Sequence, residues 1–170
     1  MSTEVLQTLL GRTPITLPGV VLQNHVRHPV KGRVYPAVLP STVAAPASAF
    51  HRDHSVEGIL IIDLSPRDMK IFDYFEEEGI DYTRTTVVAH VPESSNAYLQ
   101  QLEKNKSILW KDTDKEGYRS VQTNAYIWAR GADTLDLTKP WDYEQFRKNR
   151  LEWYLESTVK PCAKEFNDNE

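Results

Sequence analysis

Cysteine is almost absent from this chain. One residue in 170, Cys162, carries a thiol, which excludes an internal disulfide. Set after Pro161 in a polar stretch, that thiol offers little as a nucleophile. Long apolar runs are also missing: nowhere do about 18 apolar residues follow one another, so no membrane-spanning helix is expected. Nor does the N-terminus pair a charged segment with an apolar one, so no signal peptide is read and the cytosol is the expected compartment. A basic excess is lacking too, since 20 Lys and Arg stand against 24 Asp and Glu, a formal net charge of -4. Nucleic acid and anionic membrane surfaces are therefore not expected partners, whereas small or polar ones are.

What is present reads as one domain, because 170 residues can enclose one good core but hardly two. Ser2 and Thr3 are possible caps, Val5, Leu6, Leu9 and Leu10 recur at helical spacing, and Gly11 is a stop, so a short helix is predicted almost from Met1. From Gly19 the pattern turns to strands, "GVVLQNHV" and "RVYPAVLP", punctuated by Pro29, Gly32, Pro36 and Pro40. Residues 42–55 are small, Pro-interrupted and aperiodic, which predicts a removable surface loop. "VEGILIIDL" reads as a buried strand, and Ser65-Pro66-Arg67-Asp68 opens a helix with Met69, Phe72 and Phe75 on one side. "DYTRTTVVAHV" alternates as a strand, with Tyr82, Arg84, Thr86 and Val88 on one face.

Residues 92–117 are rich in Asn, Lys, Asp and Glu and read as an exposed insertion, with a helical piece at "NAYLQQLEKN". "SVQTNAYIWAR" returns to strand character. Asp142 and Gln145 then start a helix whose broad apolar face carries Tyr143, Phe146, Leu151, Tyr154 and Leu155. Residues 161–170 are expected to form a frayed polar tail behind a domain of residues 1–160.

Three sets of side chains could carry chemistry. Glu76 follows Phe72 and Phe75 at the end of an apolar helix face, beside Glu77 and Glu78. Partial desolvation and like-charge neighbours both raise a carboxyl pKa toward the range useful for proton transfer. The plainer reading is a solvated acidic helix end, although a helix C-terminus is an unfavourable place for it. His25 with His28, and His51 with His54, have metal-like spacing, but neither pair lies on a helix or has a carboxylate or cysteine set beside it, so no metal is expected. Arg27, Lys31, Arg33 and Tyr35 form a small basic and aromatic cluster, read either as solvated turn charges or as a means of orienting an anionic substrate.

Six blocks then fall in order: "EVLQTLLGRTP", "HPVKGRVYPAVLP", "VEGILIIDLS", "FDYFEEEGIDYTRTTV", "AYIWA" and "WDYEQFRKNRLEWYL". In these blocks the chain resembles the AIG2-like branch of the γ-glutamylcyclotransferase-like superfamily. The resemblance implies an α+β fold, a barrel-like mixed β-sheet with packed helices and an enclosed pocket. It also implies that the glutamate of the "FE" preceding "Y-x-R", here Glu76 before Tyr82 and Arg84, is the general acid/base. The implied reaction is cyclisation of a γ-glutamyl or related ω-amide amine with release of the amine and no cofactor. Tyr82, Arg84, Tyr126 and Tyr35 are the expected substrate-binding residues.

Members of the family begin with a strand and turn of the form "VFVYGTL", and this sequence starts just after it. The expectation is a sheet lacking its first strand, with an exposed edge open to self-association. The alternative that goes with it is a non-catalytic pocket protein of the same fold, binding a small molecule or a protein.

Overall fold

The computed structural model describes residues 1–44, 54–93, 110–113 and 117–169. Helix α1 (Thr3–Leu10) begins where the Ser2 hydroxyl accepts the Val5 N–H, and ends where Gly11 adopts a left-handed φ of 66° and donates its N–H to the Gln7 carbonyl. Its four predicted apolar residues, Val5, Leu6, Leu9 and Leu10, are all buried. They share a core with Ile71, Phe72, Phe146, Leu151, Tyr154, Val159 and Ala163.

Strand β1 (Ile15–Gln23) starts four residues before the predicted Gly19. Pro18 and Gly19 sit inside the strand, where the register against the neighbouring strand shifts between Pro18 and Val20 and Gly19 takes φ 69°. Such a bulge needs a residue free to adopt positive φ, so the signal that read as a strand start marks a kink instead. "GVVLQNHV" is likewise not one strand. Asn24 at φ 59° breaks it, and β2 (His25–Pro29) leaves to pair with β3 (Pro36–Pro40) in a two-stranded sheet.

The predicted loop at 42–55 overlaps a single helical turn, α2 (Ser41–Ala44), and ends at β4 (Ser55–Ile62). Residues 45–53, with His51, lie outside the described residues. Helix α3 (Pro66–Phe75) has the predicted capping box: the Asp68 N–H donates to the Ser65 hydroxyl at 3.1 Å, and the Ser65 N–H donates to the Asp68 carboxylate at 2.9 Å. Asp68 is buried and also receives Arg12 at 2.5 Å, tying the segment after α1 to the start of α3. Burial pushes the Asp68 carboxyl up, but the Arg12 and Ser65 hydrogen bonds outweigh it and hold the group below the usual range. Asp68→Ala is therefore expected to cost about 2 kcal/mol at pH 7 by urea unfolding, the loss of a cap plus a charged hydrogen bond. Because the folded pKa is depressed, the deficit should shrink as pH falls through the carboxylate range.

Strand β5 (Tyr82–Pro92) pairs antiparallel with β7 (Tyr118–Trp128) along its whole length. Its burial does not follow one face. Tyr82 is buried at one end, Ala89 and Val91 at the other, and Thr83 to Thr86 between them are exposed. The strand serves two cores, one with Trp128, Val26 and Leu39 and one with Leu17, Leu60 and Val121.

The segment read as an insertion contributes β6 (Trp110–Thr113), paired with β7. Residues 94–109 and 114–116, which include "NAYLQQLEKN", lie outside the described residues. The large sheet runs β4-β1-β5-β7-β6, and every named strand pair among the described residues is antiparallel. Strands β1 and β5 share only the Val21–His90 pairing.

The C-terminal region differs most from expectation. The helix from Asp142 breaks at Arg150, giving α4 (Tyr143–Asn149) and α5 (Leu151–Tyr154). A wide π turn, Leu155–Val159, leads into α6 (Lys160–Asp168), where a frayed tail is expected. Pro161 has no N–H to donate and its ring crowds the turn before it, but in the first turn of a new α segment neither matters much. The wide turn ahead of it absorbs the mismatch. Helix α6 stays docked because Ala163 is buried, Phe166 meets the Tyr74 ring at 5.8 Å, and Arg67 donates to Asn167 at 2.6 Å. Among the described residues no helix is long and apolar enough to cross a membrane.

Candidate active site

The way α3 ends decides where its three glutamates go. Glu76 is the cap residue, donating its N–H to the Phe72 carbonyl at 2.9 Å. Glu77 turns left-handed at φ 48° and donates to the Tyr74 carbonyl at 3.2 Å, while Glu78 donates to the Asp73 carbonyl at 2.9 Å. These are the paired bonds of a Schellman motif, built with a glutamate where glycine is usual. The reversal leaves Glu77 and Glu78 exposed and Glu76 half-buried. A side chain with a Cβ at φ 48° carries backbone strain, so Glu77→Gly should stabilise the fold by about 0.5–1 kcal/mol. A denaturant midpoint unchanged or lowered would show that the turn favours the glutamate for some other reason.

Although Glu76 retains some accessible surface, the packing of protein around it desolvates its charge, and its pKa is pushed up to about 7. The α-amino group of Met1 opposes this rise and is itself pushed down by burial. The Glu76 carboxylate makes no hydrogen bond or ion pair among the described residues. Four phenols come under its field: Tyr35, Tyr82, Tyr126 and Tyr154, each raised first by burial and further by Glu76.

The four differ in what their hydroxyls do. Tyr82 donates to the Pro36 carbonyl at 2.8 Å, joining β5 to β3, and its ring meets Trp128 edge-on at 5.0 Å. Tyr126 donates to Asp73 at 2.6 Å, and Arg84 pairs with the other oxygen of the same carboxylate at 3.0 Å. Tyr126 and Arg84 thus converge on Asp73, three residues before Glu76 on α3. Tyr35 and Tyr154, with ring centres 6.4 Å apart, keep hydroxyls that make no hydrogen bond among the described residues. Of the sequence-predicted residues, then, Tyr82, Tyr126 and Arg84 brace the wall, and Tyr35 has a donor to spare.

Sequence reasoning missed the roles of Asp73 and Tyr154. Tyr154 was legible only as one of several apolar residues on a helix face. It does pack there, against Phe75 at 6.4 Å and Phe146 at 5.6 Å, but its phenol also comes under the charge of Glu76. No motif marks Asp73.

His28 is fully buried and contacts the Lys139 carbonyl through Nδ1 at 3.3 Å, while the His25 ring contacts the Gln23 carbonyl at 2.8 Å. Among the described residues no three His, Cys, Asp or Glu side chains gather where an ion could be held. Cys162 sits within α6 rather than in a tail, and burial pushes its thiol up to about 11, which leaves little thiolate at neutral pH.

Comparison with known proteins finds a family match and several relatives. The chain matches the model of the family described as gamma-glutamyl cyclotransferase, AIG2-like, over residues 1–145. AIG2-like protein D of Arabidopsis thaliana is 28% identical over 167 residues, covering 98% of this chain and 86% of the relative. AIG2-like protein C of the same plant is 27% identical over 157 residues, covering 92% and 70%. A solution structure of another Arabidopsis thaliana protein shares the fold, with a TM-score of 0.51 at 19% identity over 92% of this chain and 80% of its own.

Proposed function

Since the chain belongs to the gamma-glutamyl cyclotransferase, AIG2-like family, we propose that it is an acyl-transfer enzyme that cyclises γ-glutamyl amines, with Glu76 as general acid/base. The observation that carries this reading is a single desolvated carboxyl with a pKa of about 7, free of hydrogen bonds and ion pairs among the described residues, whose charge acts on four phenols. A group poised near neutrality can both accept and return a proton.

In this mechanism the ionised Glu76 takes a proton from the α-ammonium of the γ-glutamyl group. The freed amine attacks the γ-carbonyl carbon, closing a five-membered ring. The carbonyl oxygen becomes an oxyanion, for which the uncommitted hydroxyls of Tyr35 and Tyr154 are the candidate donors. Glu76 then passes its proton to the leaving nitrogen, the oxyanion collapses as the C–N bond breaks, and the ring nitrogen gives up its second proton to the departing amine, so that a lactam and an ammonium ion leave. The attack is intramolecular, so most of the barrier is met by holding the substrate folded. Tyr126, Arg84 and Asp73 serve this reading as a brace that fixes α3 against β5 and β7.

The test is to incubate the chain with a panel of γ-glutamyl amines and follow lactam and amine together by chromatography. Stoichiometric appearance of both is expected. No product from any member of the panel would leave the non-catalytic alternative.

A further inference from the structure

Strand β5 is fully paired on one side only. Its partner β7 runs along the whole of it, but on the other side, among the described residues, only His90 meets a strand residue, Val21 of β1. Continued in that register, the residues after β1 would lie opposite the first half of β5. Asn24 at φ 59° turns them away instead, and β2 pairs with β3. The backbone groups that point to this edge over residues 83–88 therefore have no strand neighbour among the described residues.

The faces of the ribbon are bare there as well. Thr83 to Thr86 and Val88 are exposed, as are Gln122 and Asn124, which lie opposite Val88 and Thr86 on β7. Successive residues of a strand point to opposite faces, so neither face is covered. Exposed edges are ordinarily guarded by lysine, proline or a bulge, because an unpaired edge is a template for another strand. This edge has none of the three: residues 82–89 read YTRTTVVA, and their register against β7 is unbroken. Its one charge, Arg84, is already paired with Asp73 at 3.0 Å.

We propose that the open edge of β5 is an interface between two copies of this chain, joined antiparallel into one sheet with the order β7-β5-β5-β7. The edge matches itself. In antiparallel pairing both opposed residues turn their backbone groups toward the partner or both turn them away, so a two-fold contact centred on residues 83–88 sets Thr85 or Thr86 opposite its own copy. Arg84 then faces Thr86 or Val88 of the second copy and never the other Arg84, so no like charges meet. A short, polar contact of this kind makes a weak dimer, with a Kd on the order of tens of micromolar. The proposal is independent of the role of Glu76.

Sedimentation equilibrium of the full chain, taken up to about ten times that Kd, should show a monomer–dimer equilibrium. A variant carrying Thr85→Lys and Thr86→Lys sets lysine against lysine in either register and should weaken dimerisation by about tenfold or more. Both side chains are exposed, so circular dichroism should show the fold unchanged. The variant with Thr85→Glu and Thr86→Glu should be weakened likewise, and the two variants mixed should dimerise again.

Amide exchange tests the same edge without any substitution. In the unaltered protein alternate amides of residues 83–88 should exchange slowly when the chain is concentrated and faster on dilution. A parent that stays monomeric, or that forms species larger than a dimer, would overturn the proposal. So would a lysine variant that dimerises as well as the parent, a mixture that does not re-form dimers, or exchange at this edge that is indifferent to concentration.

Discussion

Glu76→Gln is expected to lower turnover of γ-glutamyl amines by roughly 10²- to 10⁴-fold, the usual contribution of a positioned proton carrier. The amide matches the carboxylate in shape but can neither take the α-ammonium proton nor return it to the leaving nitrogen. Since the Glu76 carboxylate makes no hydrogen bond among the described residues, the change breaks none there, and the loss should appear in kcat rather than in folding. Glu77→Gln and Glu78→Gln, on exposed side chains turned away by the left-handed residue, should change turnover less than about twofold. In the parent protein kcat/KM should fall as pH drops below about 7, because only the ionised Glu76 can start the reaction. Equal losses in all three variants, or a pH profile flat through that region, would remove Glu76 from the mechanism. Circular dichroism on each variant separates lost chemistry from lost structure.

The same substitution should make the protein more stable at alkaline pH. In the unfolded chain Glu76 titrates near its model value of 4.5, and in the fold near 7, so between these values the folded state holds a proton that the unfolded state has released. Stability is therefore lost as pH rises from about 4.5, and the loss is complete above about 7. At about 1.4 kcal/mol for each pKa unit, reduced because the side chain is only half-buried, the penalty at pH 8 is about 2–3 kcal/mol.

Glutamine carries no charge to desolvate and escapes this penalty. Glu76→Gln should melt about 5–10 °C higher than the parent at pH 8 and at nearly the same temperature at pH 4. The difference between the two proteins, rather than either curve, is the measure, since Asp68 and other carboxylates titrate in both. A difference that does not change with pH would mean that the fold does not desolvate Glu76.

Local structure was readable wherever a side chain acts on its own backbone. The Ser2 cap, the Gly11 stop and the Ser65–Asp68 box need only neighbours within four residues, and each appears as the sequence predicts. Features set by distant partners were not readable. Glu77 carries no glycine signal, so the left-handed turn that sorts the three glutamates could not be foreseen, and it exists because the chain must reverse there to enter β5. Pro161 looked like an end and proved to be inside a helical region, because the packing of Ala163 and Phe166 outweighs one missing hydrogen bond.

The sequence by itself determined the family, the α+β class, the capped helices and the identity of Glu76 as the residue to watch, all of which depend on residue order and short spacing. Only the tertiary structure decided what surrounds Glu76. Tyr126 and Arg84 come from strands β7 and β5 yet are committed to Asp73 on α3, and Tyr82 is committed to Pro36. Tyr35 from the β2–β3 connection and Tyr154 from α5 are far apart in the chain, and only folding brings their rings to 6.4 Å from each other. The physical reason is that a carboxyl pKa near 7 is a property of an environment. It arises from groups more than a hundred residues apart that exclude water together, and no local pattern encodes that exclusion.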